Sequence, residues 1–139
     1  MEYRRFDNMI IARIDKGEEI LSVITKIIEK ENIKLGSVSA VGAINYLKAG
    51  LFEPKEKNYL VNVFEKDMEI VSFIGNITAM NGKPYIHVHI AAADSVGKTV
   101  GGHLSAAVVS LTAEMIINIY NGEVGRAFDG DIGLNLLKF

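Results

Sequence analysis

The chain has 139 residues, a length that fits one domain with a substantial buried core. Its net charge of -2 lacks the basic excess that is typical of a general nucleic-acid binder. The absence of cysteine excludes disulfides, thiolate metal sites and cysteine nucleophiles.

No apolar run approaches the roughly 20 residues that span a bilayer. The N-terminal stretch MEYRRFDNMIIARIDKGEE is not typical of a secretory signal, because charges interrupt its short apolar run. We therefore expect a cytoplasmic protein without membrane contacts.

The first elements in chain order are a strand and then the one convincing helix. Residues 4–14 predict a strand, and the stretch DKGEEILSVITKIIEKENIKLG predicts a helix. Asp15 is the expected N-cap, with Glu18 three residues on as in a capping box, and Gly36 marks the exit. One apolar stripe at helical spacing is expected to cover a sheet; it comprises Ile20, Leu21, Ile24, Ile27 and Ile28.

Almost everything after the helix predicts strands. We expect strands at residues 37–52, 59–65, 68–80 and 85–93. A charged turn with a proline separates the first two, and Asn81-Gly82 is a strong hairpin signal between the last two.

The segment SAAVVSLTAEMIINIYNG alternates apolar and polar residues with period two, which favours a strand over a helix. Asn121-Gly122 is a further hairpin signal, and one or two short strands are expected after it. The predicted fold is a single α+β domain over residues 1–139. Its sheet has about seven to eight strands, is mostly antiparallel and packs on one main helix.

All three histidines lie in the stretch PYIHVHIAAADSVGKTVGGHL. His87 and His89 share one face if this stretch is a strand, because side chains at i and i+2 point the same way. Glycines before His103 permit a tight return that brings the third imidazole to the pair. Three neutral imidazoles are ligands for a divalent metal, zinc first among them, and leave an open position.

One other interpretation of the three histidines stays open. The histidines can instead be core or surface residues with a structural role and no metal.

Glu114 is the only acidic residue in an otherwise apolar and hydroxylic strand. It is a candidate fourth ligand, second-sphere carboxylate or catalytic general base, or else a carboxylate at a subunit interface.

The ordered set of segments resembles one known family, the PPC domain (plants and prokaryotes conserved). The resemblance runs from about Arg4 to Phe139. It is carried by SVSAVGAINYLKAGLF, MEIVSFIGNI, HVHIAAADSVGKTVGGHL and FDGDIGLNLLKF. It implies a compact α+β domain that assembles as a homotrimer.

In land plants the domain follows an AT-hook, an Arg-Gly-Arg segment that enters the minor groove of DNA. The plant partner-contact segment corresponds here to residues 66–71. This chain has no Arg-Gly-Arg, so DNA binding rests on family analogy alone, and its three histidines resemble the stand-alone prokaryotic form.

The first hypothesis is therefore a homotrimer that binds one divalent metal per subunit, with a small-molecule ligand at that metal. Whether it is an enzyme stays open; metal-activated water attacking a small polar substrate is the simplest reaction. The alternative is a non-catalytic oligomerisation module that binds DNA or a regulator.

Overall fold

The computed structural model describes residues 1–139 as one helix and nine strands. The strands are β1 (Glu2–Phe6), β2 (Met9–Asp15), β3 (Gly36–Glu53), β4 (Asn58–Phe64), β5 (Met68–Met80), β6 (Lys83–Ala93), β7 (Thr99–Ile119), β8 (Gly125–Asp129) and β9 (Leu134–Lys138). The helix α1 (Ile20–Glu31) lies between β2 and β3.

Seven strands form one antiparallel sheet in the order β1-β2-β7-β6-β5-β3-β4. β7 also pairs with β3 over most of its length, so β3, β5, β6 and β7 form a closed circuit of paired strands. β8 and β9 form a separate two-stranded hairpin. The predicted α+β class and the antiparallel sheet on one helix are thus confirmed.

The core lies between α1 and one face of the sheet. Of the predicted helical stripe, four isoleucines are fully buried, Leu21 is half-buried, and Val23 joins them. On the sheet, alternate residues of β6 and β7 point to the same core, among them Val88, Ile90 and Leu104. The residues between them on β6 and β7 point to the opposite face of the sheet, which is called the outer face below.

Two predictions about the first part of the chain were wrong. Residues 4–14 form a hairpin, because Asp7 adopts a left-handed φ of 50° and turns the chain between β1 and β2. The helix begins later than expected: its N-cap is Glu19. Asp15 instead closes a turn in which its N–H donates to the Glu18 carboxylate over 2.9 Å.

The chain after β7 also differs from the prediction. Asn121-Gly122 does not form the turn of a hairpin, because β8 does not pair with β7. β8 pairs with β9 instead, in the separate two-stranded sheet. Within β7, Leu111 is 69% exposed and Ser110 is buried. The alternation is broken there by a bulge in the β3–β7 register between Gly42 and Ile44. The 12-residue helix is too short to cross a membrane.

Candidate functional site

The three histidines meet on the outer face of the sheet. His87 and His89 lie on β6 with Val88 pointing to the core between them. His103 lies on β7 as the direct Cα partner of His89. The ring centroids are 5.1 Å apart for His87 and His89, 5.2 Å for His87 and His103, and 5.8 Å for His89 and His103.

Two glycines let the strand that carries His103 approach its neighbours. Gly102 has a φ of +146°, and a Cβ there would overlap the carbonyl oxygen of Gly50 on β3. A Cβ on Gly101 would overlap the carbonyl oxygen of Ile90 on β6. Because glycine alone fits both positions, β7 can pair with β6 and β3 on its two edges just before His103.

The imidazoles have the chemistry of metal ligands. One ligand atom from each histidine lies within 4.8 Å of the others. Burial, followed by the neighbouring rings of His103 and His89, lowers the pKa of His87 to about 4. Burial and His89 also lower the pKa of His103. His87 and His103 are therefore neutral at pH 7, which is the form that binds a metal.

One nitrogen of this cluster lacks a protein partner. Nδ1 of His103 is buried and makes no hydrogen bond. Buried polar atoms nearly always have a hydrogen-bond partner, so this unpaired nitrogen has a lone pair or a proton that no protein group uses. The residues present therefore fit a divalent metal held by imidazoles.

The histidines form part of the wall of a cleft of about 700 Å³. Tyr59 of β4 stacks on His103 with ring centroids 4.7 Å apart, and Phe52 of β3 packs edge-on against Tyr59. The β8–β9 hairpin contributes three leucines to the lining of the cleft: Leu134, Leu136 and Leu137. The cleft thus joins a polar cluster to an apolar wall, as ligand sites commonly do.

Sequence reasoning missed Arg126, which also lines this cleft. Its guanidinium donates to Thr78 Oγ1, Asn76 Oδ1 and the carbonyl oxygen of Asn135, each over 2.8 Å. It lies over the ring of Tyr85, with Cζ 4.5 Å from the centroid. Only the return of the hairpin onto β5 and β6 brings Arg126 here, and no local pattern signals that packing.

Glu114 does not join the histidines within the chain. It lies eleven positions beyond His103 on the same long strand and is exposed. At about 3.3 Å per residue, that corresponds to roughly 36 Å of extended strand. Glu114 instead lines a shallow groove with Ile11, Val41 and Ile116. Its candidate roles as fourth ligand or general base are therefore unsupported by the geometry of one subunit.

Solved structures with the same fold come from bacteria and archaea. A Bacteroides thetaiotaomicron protein with a provisional DNA-binding assignment is 32% identical, with a TM-score of 0.96 over 99% of this chain and 96% of that chain. A metal-containing protein from Archaeoglobus fulgidus is 27% identical, with a TM-score of 0.87 over 99% and 97%. A plant- and prokaryote-conserved (PPC) protein from Pyrococcus horikoshii is 26% identical, with a TM-score of 0.86 over 99% and 94%.

Among proteins with curated functions, none matches this chain. The profile of the Plants and Prokaryotes Conserved (PCC) domain, the family predicted above under its other abbreviation PPC, matches residues 1–121. That range contains α1, the whole seven-stranded sheet and all three histidines. The chain therefore belongs to the Plants and Prokaryotes Conserved domain family.

Proposed function

We propose that the protein binds one divalent metal ion per subunit, zinc first among the choices, through His87, His89 and His103. The observation that carries the proposal is that one ligand atom from each of the three imidazoles lies within 4.8 Å of the others. The unpaired, buried Nδ1 of His103 is consistent with it. The description of the Archaeoglobus fulgidus relative as metal-containing supports it. When bound, such a metal would supply a Lewis-acid centre held by the three imidazoles.

The chain's own residues prepare this site in two ways. Burial keeps His87 and His103 unprotonated, so the metal does not compete with a proton at neutral pH. Tyr59 stacks on His103 and limits the rotation of its ring. Both effects lower the cost of assembling three ligands around one ion.

Metal content tests the proposal. Untagged protein is purified without chelator, and its metals are measured by mass spectrometry. Near-stoichiometric zinc or a related divalent metal is expected in the native protein and in Tyr59→Phe, which keeps the stacked ring. His103→Ala is expected to lose it. A metal-free native protein whose melting temperature does not rise on zinc addition contradicts the proposal.

We further propose that the subunits form the homotrimer expected from the family resemblance. Exposed apolar side chains on the outer face support an oligomer. Ile11 and Ile116 are direct partners across β2 and β7, and they are 45% and 40% exposed. Val41 beside them is 59% exposed. Glu114 lies among these residues, where a partner subunit would cover it.

DNA binding is the alternative function, and the provisional assignment of the Bacteroides thetaiotaomicron relative favours it. Against it, two of the three arginines near the start of the chain are paired with carboxylates. Arg5 contacts Glu31, and Arg13 contacts Glu2 and Asp15. Gel shifts at physiological salt test this alternative; a shift that survives supports it, and one seen only at very low salt indicates nonspecific attraction.

A further inference from the structure

The histidine cleft contains the positive charge of Arg126 and no acidic side chain. Its wall contains Arg126 and three histidines, and none of its lining residues is an aspartate or glutamate. If the proposed metal is bound by neutral imidazoles, it adds two more positive charges. A charged group that is partly removed from water is costly unless an opposite charge accompanies it. The cleft is therefore electrostatically suited to an anionic ligand.

Arg126 is the residue with free hydrogen-bond donors for such an anion. Its three acceptors are a hydroxyl, a side-chain amide and a backbone carbonyl, and all of them are uncharged. A guanidinium has five N–H groups. Three donate within the protein, so two remain, one on each terminal nitrogen. These can donate to oxygens of a bound anion while the rest of the side chain stays fixed.

The distance between Arg126 and the histidines determines how large an anionic group must be to contact both. Tyr85, beneath the guanidinium, lies two positions before His87 on β6 and shares its face. Residues at this spacing are about 6–7 Å apart along a strand. An anion of a few atoms can therefore contact Arg126 while it lies beside the three imidazoles.

The remaining lining of the cleft favours a ligand that has an apolar group in addition to its anionic group, and phosphate has none. Four leucines also line the cleft: Leu51 and the three leucines of the β8–β9 hairpin. Phosphate sites commonly use backbone N–H groups at a helix N-terminus. The N-terminus of α1 is capped by Glu19 instead, and it does not line the cleft.

We propose that the cleft binds a small organic carboxylate, with its carboxylate between Arg126 and the three histidines and its apolar body against the leucines. This inference rests on the proposed metal. Benzoate is a suitable probe because it joins a carboxylate to an apolar ring, and benzamide is its neutral counterpart of the same shape.

The test is calorimetric titration of zinc-loaded protein with benzoate, benzamide and inorganic phosphate, after the zinc content of every sample has been measured. Benzoate is expected to bind at least about tenfold more tightly than benzamide, as a charge-assisted hydrogen bond implies. Arg126→Gln is expected to remove that difference, and Arg126→Lys to retain part of it. Asn76→Asp replaces the amide that accepts from Arg126 by a carboxylate of the same shape. The new negative charge should neutralise Arg126 and weaken benzoate binding without loss of the fold.

The two proposals fail in different ways. A protein that takes up no zinc overturns the proposed metal site and with it this inference. A fully zinc-loaded protein that binds benzoate no better than benzamide, or equally well in Asn76→Asp, overturns the carboxylate proposal alone. Tighter binding of phosphate than of benzoate also overturns it, because the ligand class is then wrong.

Discussion

His89 and His103 are direct partners across the β6–β7 ladder, and this pairing brings the third imidazole to the other two. Side chains alternate between faces along a strand, so a slip of one residue would move His103 to the core face. The register is fixed by apolar residues on both sides, since Ile90 and Leu104 are buried on that core face. The site is thus a consequence of how the core packs.

Replacement of Gly102 by alanine is expected to damage both the fold and the site. The new Cβ meets the backbone of Gly50, and the φ of +146° is strained for alanine. We expect a loss of about 2–5 kcal/mol in the free energy of unfolding, with weaker zinc binding. Gly97→Ala is the control: its φ is +76°, and nothing lies within 4 Å of its Cβ. A loss of only about 1 kcal/mol is expected there. Equal losses in urea unfolding would refute the close approach.

Removal of the Glu19 carboxylate is expected to destabilise the start of the helix. It accepts hydrogen bonds from the N–H groups of Leu21, Ser22 and Ala107, so it ties α1 to β7. Glu19→Ala should lower the free energy of unfolding by about 1–3 kcal/mol. Glu19→Gln keeps an acceptor oxygen and should lose less. Denaturant curves measure this, and unchanged stability in Glu19→Ala would rule out the cap.

A lysine on the outer face is expected to break the proposed homotrimer. Val41→Lys places a charge in the groove beside Ile11 and Ile116, where burial against another subunit is costly. Light scattering after gel filtration should show trimers for the native protein and smaller species for this variant. Val96→Lys is the control, because Val96 is a loop residue that is 84% exposed. A native monomer, or a Val41→Lys trimer, contradicts the proposed interface.

The stability of the fold in acid is expected to depend on Tyr3. Its hydroxyl donates to Glu31 over 2.7 Å, and this bond, with Arg5, holds the pKa of Glu31 below its ordinary value. Ionised Glu31 therefore stabilises the fold above the unfolded pKa of about 4.3, and this contribution is lost as the pH falls through the folded pKa.

In Tyr3→Phe the pKa of Glu31 should be less depressed, so the variant should lose less stability than the native protein between about pH 5 and pH 3. Urea unfolding at a series of pH values measures the difference. Tyr120→Phe is the control, since the hydroxyl of Tyr120 contacts Ser37, which carries no charge. Parallel pH curves for the native protein and Tyr3→Phe would show that this hydrogen bond does not shift Glu31.

The period-two pattern was enough to predict most of the sheet and the shared face of His87 and His89, because alternation is a local property of strands. β5 begins and ends where the sequence predicted. The turn at Asp7 was missed because no glycine or proline marks it, and the cap at Glu19 was missed because glutamate is not a usual N-cap residue.

Arg126 and Glu114 show the limit of sequence reasoning about the site. Arg126 reaches the cleft only through tertiary packing of the β8–β9 hairpin, which has no local signature. Glu114 follows His103 closely in the sequence, yet one continuous strand holds them apart. Spacing along the chain indicates which face a residue takes, and pairing between distant segments decides which residues meet.

The most direct test of the central claim is anomalous diffraction at the zinc edge from crystals grown with zinc and without chelator. We predict one strong peak per subunit, with His87, His89 and His103 each contributing one nitrogen at a bonding distance of about 2.0–2.1 Å. An ordered imidazole cluster with no anomalous peak between the three rings would contradict it, as would a peak held by other residues.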